Sequence, residues 1–144
     1  MVEIEFASNF DEIEKITEKL LTEYDNENNV NYNFKLFAFI AKENGEHVGY
    51  IDGFSYYAEV TINNLVVRKE YRGKGIGKRL VNWTFNYFKN KNFNNLNLVT
   101  NEFQAPEFYK KCGFKLEFVR KNYKNPKFTK YFFIKYFDDW ILQI

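Results

Sequence analysis

Arg72-Gly73-Lys74-Gly75-Ile76-Gly77 is the stretch of this chain best equipped for chemistry. It follows a strand-like run, Thr61 to Val67, and opens a helical one. A glycine-rich turn between strand and helix leaves backbone N–H groups free and lets a ligand come close. The helix N-terminus adds roughly half a positive charge, and Arg72, Lys74 and Lys78 add whole ones. Such a segment can hold a phosphate or pyrophosphate, although glycine and lysine also build ordinary solvated turns. Spacing excludes two familiar phosphate loops. A P-loop needs G-x-x-x-x-G-K-[ST]; Gly77-Lys78 supply the G-K, but Arg79 stands in the Ser/Thr place and Arg72 in that of the first glycine. A dinucleotide fingerprint needs G-x-G-x-x-G; after Gly73 and Gly75, Gly77 comes one residue early. Some other phosphate-bearing ligand is implied.

A second segment runs from Phe103 to Phe114. Pro106 suits the first turn of a short helix and Gly113 suits its C-cap. Phe108 then packs into the core. Tyr109 points roughly 100° away around the helix and faces a cleft.

The elements that position these segments follow from periodicity. Val2, Ile4 and Phe6 alternate as a first strand. Ser8 or Asn9 caps a helix with apolar positions Phe10, Ile13, Ile16, Leu20 and Tyr24. Asp25 to Asn33 is a polar loop or a broken helix. Phe34 to Ala41 is a second strand, Asn44-Gly45 a hairpin turn, and His47 to Ser55 a third strand. Tyr56-Tyr57-Ala58 turns into a fourth, Glu59 to Arg68. After the glycine turn, Gly77, Leu80, Val81, Thr84, Phe85 and Phe88 form one helical stripe. Leu96, Leu98 and Thr100 mark a fifth strand; Phe114 to Tyr123 and Thr129 to Phe137 are two more. The unit from Glu59 to Thr100 is a right-handed crossover, which makes the fourth and fifth strands parallel in an otherwise mostly antiparallel sheet. The fold class is α/β with a mixed sheet and helices on both faces.

With 144 residues, 45% of them apolar, the chain reads as a single domain over 1–144. Its net charge of +2 is too small to demand a nucleic-acid partner. Cys112 is the sole cysteine, so no internal disulfide forms and a reducing compartment is the simpler reading. No apolar run approaches the ~20 residues of a membrane span, and the N-terminus lacks an apolar signal core. The expectation is a cytoplasmic protein with no membrane partner, no metal and no nucleic acid.

The two motifs together resemble the GNAT superfamily of acetyl-CoA-dependent N-acetyltransferases. Leu65-Val66-Val67 and Arg72 through Gly77 are similar to its R/Q-x-x-G-x-G/A signature. Ala105, Tyr109, Gly113 and Phe114 are similar to its A-x-x-x-Y-x-x-x-G-[FY] ending. The resemblance covers about residues 34 to 137. Many members carry asparagine seven residues before the tyrosine; here Glu102 holds that place and Asn101 comes one early. The related branch carries an acid two residues before Leu65; here it is Asn63, an amide that cannot serve as a base.

The resemblance implies acetyl-CoA as co-substrate, bound where strands four and five splay apart. It implies backbone bonds from Leu65, Val66 and Val67 to the pantetheine arm and a bulge N–H on the thioester carbonyl. It puts the pyrophosphate on the amides of Gly73, Lys74, Gly75, Ile76 and Gly77, screened by Lys74 and Lys78, with Arg72, Asn101 and Phe108 completing the cofactor site. An amine of a small molecule or protein would attack directly, with Tyr109 as general acid to the departing thiolate. Glu59 and Glu102 are the candidate bases, and a water chain to a carboxylate is as plausible. Glu59 also reads as a solvated strand end. His47, the only histidine, reads as exposed and inert. Cys112, with Lys111 beside it, reads as a buried structural thiol. Loop 25–33, Tyr56, Tyr57 and the last hairpin would form the acceptor site, where the tyrosines either flank a cation or pack at the rim.

Two other readings stay open. One is a non-catalytic acyl-CoA-binding or regulatory domain on the same fold. The other is a nucleic-acid binder using Arg120 to Tyr131, which interleaves basic and aromatic residues. A homodimer surface is drawn from Phe132, Phe133, Trp140 and Ile141.

Overall fold

The computed structural model describes residues 1–138. The chain divides into two compact units, Met1–Asn33 and Phe34–Ile144. In the first, helix α1 spans Phe10–Glu27. Asn9 caps it, its side-chain oxygen accepting from the Glu12 N–H at 3.1 Å, and Asp11 and Glu12 place negative charge in the first turn. The helix runs two residues past Asp25 and closes on Asn28 and Asn29, the latter at φ 56°. Val2, Ile4 and Phe6 do not form the expected strand; residues 1–9 carry no regular structure. Alternation gives a strand its two faces, but only a paired neighbour satisfies its backbone, and residues 1–9 take part in no strand pairing.

The second unit is built on one six-stranded sheet: β1 (Lys35–Glu43), β2 (Glu46–Tyr56), β3 (Glu59–Val67), β4 (Asn95–Asn101), β5 (Lys115–Arg120) and β6 (Lys130–Tyr136). Their order is β1-β2-β3-β4-β6-β5. Among the described residues only β3 and β4 are parallel neighbours, joined by helix α2 (Ile76–Phe88); every other pair is antiparallel. Asn44 and Gly45 both take positive φ, as a two-residue hairpin requires.

Helix α2 packs its Leu80, Val81, Thr84 and Phe88 stripe against β1, β2 and β3. Gly49 permits the close approach, since a Cβ there would lie 3.1 Å from Leu80 and 3.2 Å from Ile76. Short helix α3 (Glu107–Lys111) lies on the same face. Tyr109 of α3 meets Phe133 of β6, and Phe85 of α2 stacks on Phe137; both partners alternate onto one side of β6. Val60, Ile62, Leu96, Leu98, Phe114, Phe133 and Phe137 complete the core.

Phe133 is fully buried there, so it cannot belong to a dimer surface. Phe132 stacks on Phe118 at 4.1 Å. Trp140 and Ile141, the other members of that expected surface, lie outside the described residues.

Candidate active site

The parallel pair opens partway along its length. β3 pairs with β4 only from Glu59↔Asn95 to Ile62↔Leu98. Beyond that point β3 stays paired with β2 as far as Val67, while β4 stays with β6 as far as Asn101. A bulge lies where they part. Asp52 pairs with Asn64 and Gly53 with Ile62, leaving Asn63 as the extra residue on β3. Such an insertion bends and twists its strand. Gly53 makes the bulge possible: a Cβ there would sit 2.0 Å from the Thr61 carbonyl oxygen and 2.8 Å from the Phe37 ring.

Five residues past the end of β3 begins the glycine turn, at Arg72. Gly73 and Gly75 take φ 76° and 82°, with open space where a Cβ would stand. Left-handed geometry, and not crowding, therefore requires glycine at both positions. The backbone N–H groups from Gly73 to Lys78 bond to no acceptor among the described residues. Successive amides in alternating conformations make an anion-binding concavity, and the α2 N-terminus adds its dipole.

The three cations around the turn differ in role. Arg72 donates from Nε to the Val67 carbonyl at 3.0 Å, which ties the turn to the end of β3. Lys74 lies over the Tyr71 ring, 5.2 Å from its centroid. Lys78 reaches toward Cys112, whose thiol its charge pulls down. Gly77 serves packing instead of the anion: a Cβ there would lie 3.3 Å from the Phe108 ring. Phe108 thus braces the first turn of α2 from α3. Of the β3 residues expected beside the cofactor, Leu65 packs on the core, Val66 is exposed, and the Val67 carbonyl is occupied by Arg72.

Tyr109 is half-buried, its ring against Phe108, Phe114 and Phe133. Its hydroxyl has no hydrogen-bond partner among the described residues. Burial, with the Cys112 thiol adding to it, pushes this phenol up to about 12. It is therefore a proton-bearing donor throughout the neutral range. Burial also raises the Cys112 thiol, and Lys78 and Lys135 only partly offset that. The cations that reach Cys112 are these two, and not the adjacent Lys111.

The structure does not bring the expected carboxylates together with Tyr109. Glu59 stands at the closed end of the β3–β4 pair, opposite Asn95, whose Nδ2 donates to its Oε1 at 2.9 Å. Asn95, Asn97 and Thr61 continue that contact as a chain of side-chain hydrogen bonds. Glu102 lies past the end of β4 beside the Tyr131 hydroxyl, which it pushes up. Asn101 spends its side chain in a capping box with Gln104. His47 is exposed and meets Tyr50 edge-on.

Tyr56 and Tyr57 extend an aromatic row from Phe34 through Phe54. In and around the basic–aromatic hairpin, Phe128 meets Phe103, Phe132 stacks on Phe118 and takes the Arg120 guanidinium over its ring, and Tyr123 is exposed. Among the described residues no helix is long and apolar enough to cross a membrane.

Sequence reasoning passed over Asp52. This half-buried carboxylate faces the bulge, and Asn64 Nδ2 donates to its two oxygens at 3.0 and 3.4 Å. Its signal was present: Asp52-Gly53, a pair unsuited to a strand interior, interrupts an otherwise regular strand.

A family model for the acetyltransferase (GNAT) domain matches residues 35–116. Among solved structures, an acetyltransferase from Bacillus cereus is 28% identical with TM-score 0.78, covering 94% of this chain and 97% of its own. An aminoglycoside 6'-N-acetyltransferase complexed with coenzyme A is 21% identical with TM-score 0.62, covering 72% and 73%. The ribosomal-protein-S18-alanine N-acetyltransferase from Escherichia coli is 18% identical with TM-score 0.64, covering 81% and 77%. These last two are likenesses of fold. A comparison with curated proteins finds no match.

Proposed function

The chain belongs to the GNAT acetyltransferase family, and we propose that it moves an acetyl group from acetyl-CoA directly to an amine. The observation that carries this reading is the row of unbonded amides from Gly73 to Lys78, placed just beyond the opened end of β3. It supplies the anion site for a pyrophosphate, and the gap beside it supplies a slot for an extended pantetheine arm. The two solved relatives named for amine acceptors, an aminoglycoside and a ribosomal-protein alanine, accord with an amine here.

In this reading the unpaired β4-facing edge of β3, from Asn63 to Val66, bonds the pantetheine amides and polarises the thioester carbonyl. Arg72 holds the turn in place, while Lys74 and Lys78 screen the phosphates. The acceptor nitrogen forms its bond to the acetyl carbon, the C–S bond breaks, and Tyr109 donates to the departing sulphur. A phenol near 12 is a poor source of a whole proton. Passing it to a thiolate of ordinary pKa near 8.5 is uphill by about three to four units, on the order of 5 kcal/mol. Tyr109 therefore acts chiefly as a hydrogen-bond donor that steadies the developing thiolate until a proton arrives from solvent.

The test is a turnover screen across amine classes, with free CoA detected by a thiol reagent and acetyl-CoA affinity measured by calorimetry. Acetyl-CoA binding with CoA release in the presence of an amine is expected. Binding without release for every amine would leave the chain as an acyl-CoA-binding domain; no binding would refute the site.

A further inference from the structure

We propose that Asp52 receives the acceptor's ammonium group and takes its proton, on the sheet face opposite α2 and α3. This rests on the acetyl-transfer reading above and adds the group that an amine acceptor needs, since a protonated amine has no lone pair with which to attack.

Position is the first argument. Asp52 pairs with Asn64, which belongs to the part of β3 that has left β4. One strand spacing of about 4.8 Å therefore separates the Asp52 backbone from the strand that lines the gap. Orientation is the second. Gly49, Ile51 and Gly53 alternate toward α2, since Gly49 meets Leu80 and Ile51 is in the core. Asp52 therefore points to the other face, together with Asn64. Tyr109, against Phe133, serves the helix face. The nitrogen and the departing sulphur are thus tended from opposite sides of the sheet.

Chemistry is the third argument. The Asp52 carboxylate is half-buried, and Asn64 fixes it through both oxygens. Among the described residues no cation pairs with it. An oriented carboxylate without a cation is a seat for one. Tyr50 and Phe54 flank it two residues away along the same face of β2, and aromatic rings favour a cationic guest. The proton balance closes. Of the two protons the nitrogen loses, one passes through Asp52 to solvent and the other ends on the released thiol.

Spermidine and a peptide with an N-terminal alanine are suitable probes, followed by free CoA release from pH 6 to 10. Asp52→Asn keeps the size of the side chain and an oxygen for Asn64. It should lower kcat/KM for the better amine at least roughly 100-fold at pH 7, and the loss should shrink as pH approaches the amine's own pKa. Acetyl-CoA affinity should not change. Asn64→Ala, which leaves the carboxylate but frees it to turn, should give a smaller loss with the same pH trend. A pH-independent loss, weakened acetyl-CoA binding, or activity within twofold of wild type overturns the assignment and leaves acetyl transfer standing. Wild-type protein that binds acetyl-CoA but releases CoA with no amine of the screen overturns both.

Discussion

Two regions of strand β3 carry their function in different material. Past its end, the glycine turn works through backbone: free N–H groups, two left-handed glycines, and a helix terminus. At its middle, the bulge works through strand register: it brings the Asn64 side chain onto Asp52 across the strands, and Gly53 leaves room for the Thr61 carbonyl. A cradle made of consecutive amides is written in consecutive residues, so it is local and tolerant of its surroundings. A site made by strand register exists only once the sheet has formed, and a small change in packing can erase it.

The strongest way to break this contrast is Gly53→Ala. The added Cβ would meet the Thr61 carbonyl at 2.0 Å and the Phe37 ring at 2.8 Å, contacts that no rotamer relieves. Overpacking against backbone should cost about 3 kcal/mol or more, read as a drop in the urea midpoint. Full stability would mean that the bulge yields easily, and the register argument for Asp52 would weaken with it.

Gly75→Glu breaks the other region in the opposite manner. Open space surrounds the new Cβ, so the fold pays only the left-handed strain of about 1–2 kcal/mol. The new carboxylate, however, stands where an anion must bind. Acetyl-CoA affinity should fall at least roughly 100-fold, about 2.7 kcal/mol, while the circular dichroism spectrum is unchanged. Unaltered affinity in a titration would sink the cradle.

The same contrast decides what could be read from sequence. The turn, α2 and the Tyr109–Gly113 segment were legible because their spacing is local: R-x-x-G-x-G and the A-x-x-x-Y-x-x-x-G pattern each fit inside one stretch. The parallel pair followed from crossover handedness. Asp52-Gly53 marks an irregularity in its strand, but the pairing of Asp52 with Asn64 was not legible, because the two lie 12 residues apart and the bulge register that joins them has no contiguous signature. Glu59 shows the same limit in reverse: it is an acid on the strand that lines the gap, but the direction of β3 puts it at the closed end beside Asn95. Gly77 matched the turn's signature while its place is set by Phe108. The alternation at Val2, Ile4 and Phe6 is a pattern that gained no paired neighbour.

Tyr109 stands between the two regions, and Tyr109→Phe sharpens the division of labour. Loss of one donor to the departing sulphur should lower kcat roughly tenfold with little effect on acetyl-CoA affinity, because the ring contacts to Phe108, Phe114 and Phe133 remain. Near-normal kcat would assign Tyr109 to packing alone.

The smallest effect separates those two roles without an acceptor. Burial holds the native Tyr109 phenol near 12, while the unfolded chain returns it to its ordinary value near 10. Below pH 10 both states keep the proton, and the contribution to stability is at its full value. Between pH 10 and 12 the unfolded state ionises first, so rising pH favours unfolding. Tyr71 and Tyr131 are also raised, but both remain in Tyr109→Phe, so the difference between the two proteins isolates one phenol. The urea midpoint of wild type should therefore fall more steeply than that of Tyr109→Phe between pH 10 and 11.5, and the two curves should run parallel from pH 7 to 9. Parallel curves throughout would mean that burial does not hold the phenol up. Tyr109 would then be an ordinary phenol, only about 1.5 units above a thiol of ordinary pKa, and the argument that it keeps its proton would lose its ground.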